Sequence, residues 1–132
     1  MERESPEVVL RYLDGRTVRG RLEGPFDPRG TDEVTVTTPE GERVVAPLPA
    51  LKAVFFLKHP AQREADLAFG GREHLRGARA RVDFVDGEVM RGLVHHYSVK
   101  DRGFMLVPTD PESNNERVFV VARAVQGVEI EG

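Results

Sequence analysis

Cysteine and tryptophan are both absent from the 132 residues. Without cysteine there are no disulfides, no thiol nucleophile and no thiolate metal ligands. Long apolar runs are missing too: none approaches the ~20 residues that a membrane-spanning helix needs. The first residues, Met1-Glu2-Arg3-Glu4-Ser5-Pro6-Glu7, are charged and lack the apolar core of a secretory signal. A cytoplasmic protein that does not engage a membrane is therefore expected. There is no basic surplus either, since 19 Lys and Arg stand against 22 Asp and Glu for a net charge of −3. That balance argues against a nucleic-acid binder with a broad cationic face and leaves only a local stripe to consider. All but three of the basic residues are arginine.

Catalytic signatures are equally scarce. The chain has no G-x-S-x-G, no Walker-type glycine loop and no H-E-x-x-H. Ser5, Ser98 and Ser113 have no histidine and carboxylate at a spacing that would identify a nucleophile. The expectation is a protein that is not an enzyme and carries no cofactor.

What is present is a foldable composition and an internal repeat. Hydrophobic residues make up 39% of the chain and charged residues 31%, which suits a folded, soluble domain. The first half contains Val8-Val9-Leu10-Arg11-Tyr12-Leu13-Asp14-Gly15 and then Val18-Arg19-Gly20. The second contains Ala80-Arg81-Val82-Asp83-Phe84-Val85-Asp86-Gly87 and then Met90-Arg91-Gly92, at an offset of 72. Ala50-Leu51-Lys52-Ala53-Val54 likewise matches Ala124-Val125-Gln126-Gly127-Val128 at an offset of 74. One slightly longer loop accounts for that drift, and such self-similarity takes precedence over other fold arguments.

Each copy reads as five short strands. Residues 8–13 alternate, Asp14-Gly15 and Asp86-Gly87 mark hairpin turns through residues that accept positive φ, and strands follow at 17–22, 34–37, 43–46 and 53–57. Gly20 and Gly92 sit at equal depth in their second strands, where a glycine permits a sharp bend. A helical turn precedes each fifth strand, and residues 61–69 have the makings of a short helix. The predicted architecture is all-β: a tandem repeat of two small five-stranded SH3-like or Sm-like barrels, residues 1–58 and 79–132, with a short linker at 59–78. A unit of ~55 residues buries only ~60% of its unfolded surface, so the two should lean on each other or on other subunits.

The second half carries, in order, Asp86-Gly87-Glu88, Gly92, Tyr97, Gly103-Phe104, Pro108, Asp110, Ser113-Asn114-Asn115 and Arg117-Val118-Phe119-Val120. This resembles a bacterial domain family with the recurring pattern DGE…G…Y…GF…P.D..SNN.RVFV, and Lys52-Ala53-Val54-Phe55-Phe56-Leu57 resembles it as well. That family has no assigned activity and accompanies signalling modules such as PilZ and response-regulator domains. The resemblance therefore implies a signalling setting without implying a chemistry. PilZ domains bind cyclic di-GMP through R-x-x-x-R followed by D/N-x-S-x-x-G. Arg72 and Arg76 have the first spacing, but no second motif follows. The unit pattern also resembles Sm-like proteins, which bind RNA through loops in a ring, although those loop signatures are not visible here.

The richest polar cluster is Asp110, Ser113, Asn114, Asn115 and Arg117. With Tyr97 and Arg102 it forms the candidate contact surface for a partner, which is expected to be a protein. RNA or a cyclic dinucleotide are the alternatives, and a homo-oligomer contact is the third. Arg117 would present a planar fork to a carboxylate or phosphate. The plainer interpretation is turn chemistry, in which Asp, Ser and Asn bond their own backbone. Arg19, Arg21 and Arg91 are candidates for an anionic ligand, set against ordinary cross-strand pairing with acids. His95 and His96 are adjacent and would point to opposite faces of a strand, which disfavours a shared metal. Phe55 and Phe56 are adjacent as well, so one should fill its own core while the other seals the interface between the two barrels or an oligomer contact.

Overall fold

Alternation in the sequence becomes alternation in burial. In the first strand, β1 (Glu7–Tyr12), Val8, Leu10 and Tyr12 are buried and the residues between them are half-buried. The first half continues with β2 (Thr17–Leu22), β3 (Glu33–Thr37), β4 (Arg43–Pro47), a 3-10 turn and β5 (Leu51–Leu57). A helix, α1 (Pro60–Phe69), starts on a proline, which loses nothing at a helix N-terminus. The second half repeats the series with β6 (Ala78–Phe84), β7 (Val89–Val94), β8 (Gly103–Val107), β9 (Asn115–Val121), a second 3-10 turn and β10 (Val125–Glu131). The structure is a computed structural model, and it describes residues 6–27, 30, 32–69, 77–95 and 101–131.

The ten strands form one antiparallel sheet in the order β10-β6-β7-β8-β9-β5-β1-β2-β3-β4. The all-β expectation holds, but the pairing makes a single continuous sheet rather than two separately closed ones. Both halves use the same order, with the fifth strand beside the first and the second, third and fourth following. Strand β9 joins them by pairing with β5, from Ala53 opposite Val120 to Leu57 opposite Asn115. Among the described residues β4 pairs only with β3, and β10 only with β6, so the sheet ends on these two strands.

The turns and bends follow the glycines. Tyr12 and Phe84 close equivalent loops by donating their N–H groups to the carbonyls of Arg16 and Glu88. Only the glycine of each Asp-Gly pair takes positive φ, +95° at Gly15 and +91° at Gly87, while neither aspartate does. These are three-residue loops closed by a left-handed glycine, not two-residue turns with both residues at positive φ. A Cβ on Gly20 would stand 2.6 Å from the Thr37 carbonyl oxygen, and one on Gly92 would stand 2.5 Å from that of Val107. Each glycine marks the point where the second strand leaves the first and closes on the third.

The joining strands serve two cores at once. Leu51, Val54 and Phe56 of β5 pack with Phe119 and Val121 of β9 in the core of the first half. Ala53 of β5 packs with Val118 and Val120 of β9 in the core of the second, where Phe55 also packs. Successive side chains on a strand point to opposite faces, so over Ala53–Phe56 and Val118–Val121 each joining strand feeds one core with every other residue.

A groove where the two halves join

The loop after β2 brings Phe26 back over the junction. Its ring meets Phe56 edge-on at 5.3 Å between centroids and Phe119 at 5.0 Å. These contacts leave an open groove of about 380 Å³ lined by Phe26, Phe104, Met105, Val107, Phe119, Gly103, Arg117, Arg102, Asp101 and His95. Its walls are apolar with a few converging polar groups, the usual make-up of a ligand site.

Arg117 is the polar centre of this groove. Its guanidinium lies over the Phe56 ring, 4.3 Å from the centroid. Its Nε is buried without a hydrogen-bond partner, and no carboxylate among the described residues pairs with it. A buried donor left unsatisfied costs about 1–3 kcal/mol, a cost an anionic ligand would offset. Arg102, at the far end, pairs with Asp32 of the first half, and its carbonyl accepts the Ala122 N–H at 2.8 Å.

The remaining contact candidates lie elsewhere. The Asp110 side chain accepts the Glu112 N–H, and the Ser113 hydroxyl accepts the Asn115 N–H. Asn114 takes the Lys58 N–H on its backbone carbonyl, and Asn115 pairs with Leu57 across the junction. The Asp110 and Ser113 side chains thus bond the loop's own backbone, its main chain reaches Leu57 and Lys58, and of its five residues only Arg117 lines the groove. Tyr97 and His96 lie outside the described residues.

The arginines of the supposed anionic stripe are engaged with acids. Arg19 binds Glu7 through two hydrogen bonds of 3.0 and 3.1 Å, which holds that carboxyl below its usual range with help from Arg21. Arg91 stands 3.7 Å from Glu131. Among the described residues no cluster of acids and histidines is arranged to hold a metal, and no helix is long and apolar enough to cross a membrane.

Two residues at the junction are not picked out by reading the sequence. Phe26 is a lone aromatic in Gly24-Pro25-Phe26-Asp27, and an apolar residue stranded in turn sequence is the only hint of its role. Lys52 is the one buried charged residue among those described, at 2% exposure. Its ammonium lies 2.6 Å from both Asp86 and Glu88 and 4.6 Å from the centre of the Phe84 ring. Arg11 reaches Glu88 as well, at 3.3 Å, so charges on β1 and β5 grip the β6–β7 turn. The signal was a lysine inside an otherwise apolar strand, Leu51-Lys52-Ala53-Val54-Phe55-Phe56-Leu57.

Fold and groove together define an all-β protein with an apolar cleft at the seam between two similar halves. The chain belongs to a family of unknown function, DUF6982, whose pattern it matches over residues 4–132. No curated protein and no solved structure matches it.

Proposed function

We propose that the chain is two copies of one SH3-like or Sm-like unit fused edge to edge, acting as a non-enzymatic binding module. Its ligand is a protein segment that places a carboxylate next to bulky apolar side chains in the junction groove. The observation that carries this reading is Arg117, a half-buried guanidinium stacked on Phe56 with no acidic partner among the described residues, beside the partly exposed Phe26 and Met105. A planar, weakly hydrated cation on an aromatic surface suits bidentate capture of a carboxylate. The resemblance of the second half to domains that accompany bacterial signalling modules supports a regulatory setting.

The test is a peptide-display selection on the immobilised chain, repeated on Arg117→Gln and Met105→Glu. Acidic-apolar peptides should be enriched, and both substitutions should abolish their binding while the melting temperature stays within a few degrees. Binders indifferent to both substitutions, or no enrichment at all, would overturn the reading. A short RNA that binds instead, with affinity falling steeply as salt rises, would move the assignment to a tandem Sm-like RNA binder.

A further inference from the structure

The two unpaired ends of the sheet correspond, half to half, to the two strands that join it. By the offset of 74, β4 is the counterpart of β9 and β10 the counterpart of β5. Inside the chain those counterparts pair; at the ends they are open. We propose that β10 of one copy pairs antiparallel with β4 of the next, repeating the internal junction and building a head-to-tail assembly.

Exposure is the first support. Phe119 on β9 is buried because it enters the other half's core, and its counterpart Val45 is 43% exposed. Phe56 on β5 is buried, and its counterpart Ile130 is 53% exposed. Transferring the internal register places Val128 opposite Val45 and Ile130 opposite Arg43 of the next copy, so both exposed apolar residues would be covered. Pro47, which cannot donate to a ladder, corresponds to Val121, one residue beyond the internally paired stretch.

Charge is the second and independent support. The ion pair at the internal junction is Arg11 on β1 with Glu88 in the β6–β7 turn. At the offset of 72 their counterparts are Asp83 and Arg16, the same pair with both signs exchanged. Asp83 would therefore face Arg16 of the next copy and remain attractive, while Gln126, in place of Lys52, would face the next copy's Asp14. Among the described residues Arg16 is exposed and ion-paired with its neighbour Asp14, and Asp83 with Arg81. In that register Arg43 would lie over Ile130 as Arg117 lies over Phe56, with Glu129 and Glu131 on the opposite face.

A heterologous contact makes a specific prediction for sedimentation velocity of the full chain across a wide concentration range. The native chain should form species above the 14.7 kDa of one copy. Val45→Lys and Ile130→Lys should each be monomeric, and their equimolar mixture should yield a dimer and nothing larger, because one open β10 meets one open β4. Should either variant fail to fold, Arg16→Glu and Asp83→Arg decide instead: each alone should weaken assembly at least tenfold, and the double variant should restore it. A native chain that stays monomeric throughout, a mixture that does not dimerise, or a double variant without rescue would overturn the proposal.

Discussion

Strands β5 and β10 occupy the same position in the two halves, yet one is an interior strand and the other an edge. Strand β5 reads Leu51-Lys52-Ala53-Val54-Phe55-Phe56-Leu57 and has most of its side chains buried. Strand β10 reads Val125-Gln126-Gly127-Val128-Glu129-Ile130-Glu131 and has none fully buried. Sequence has followed environment: aromatics stand where the strand is paired on both sides, and glutamates where it is open on one. The strand order in a half is a property of the half, whereas the chemistry of its edge depends on what lies beside it. In a protein of this size each half would bury too little surface alone, and β5 and β9 supply the shortfall by feeding two cores.

The largest expected break in this comparison is at Phe56. Truncating it to alanine removes a side chain buried to 1% exposure that also supports Phe26 and Arg117, and should cost about 3–5 kcal/mol. Ile130→Ala, at the counterpart position and half exposed, should cost about 1 kcal/mol or less when the chain is dilute enough to be monomeric. Urea midpoints on the two variants measure the ratio. Equal costs would show that β10 is buried in solution even in the single copy.

Lys52 gives the next effect. Lys52→Ala leaves a cavity and frees the acids of the β6–β7 turn, and should destabilise by about 2–3 kcal/mol. Lys52→Met keeps the stem volume over Phe84 and should cost under about 1.5 kcal/mol. Gln126→Ala, at the exposed counterpart, should change stability by no more than about 0.5 kcal/mol. If Lys52→Met proves as damaging as Lys52→Ala, the ion pair rather than the packing holds the halves together.

Where the halves are alike, the glycines should respond alike. Gly20→Ala and Gly92→Ala each push a methyl group against a backbone carbonyl, and both should cost about 1–3 kcal/mol. A difference above about 1 kcal/mol between them in thermal or urea unfolding would mean that the second strands bend for different reasons.

Most of the strands are legible in the sequence because each depends on local alternation and turn chemistry. The hairpins at Gly15 and Gly87, the bends at Gly20 and Gly92 and the helix over 60–69 are all placed by short-range patterns. What closes the structure is not local. Nothing in β9 announces that it pairs with β5, and Phe55 beside Phe56 indicated only that one ring must face something other than its own core. The groove was half legible. Arg117 stands out as a strand arginine, but the loop before it is rich in Asp, Ser and Asn whether those residues meet a ligand or their own backbone. Phe26 reaches the site through tertiary packing, which no pattern in Gly24-Pro25-Phe26-Asp27 could specify.

The smallest effect separates the two Asp-Gly turns by pH. Asp86 is held below its usual value of 3.8, chiefly by the Lys52 ammonium and then by the Glu88 N–H. Asp14 is lowered too, but chiefly by the backbone N–H of Arg16, with the Arg16 side chain contributing less. A carboxyl whose folded value is depressed stabilises the fold fully above its unfolded value and loses that contribution as pH falls through its folded value. Both turns therefore weaken in the acid range below about pH 4. Lys52→Met removes the leading cause at Asp86 and leaves Asp14 untouched. A carbon-detected titration of the side-chain carboxyls should show the Asp86 midpoint rising in the variant while the Asp14 midpoint stays fixed. Acid unfolding of the variant should correspondingly depend less on pH than that of the native chain. An Asp86 midpoint that does not move would mean that the turn's own N–H groups, as in the first half, hold the carboxylate without the lysine.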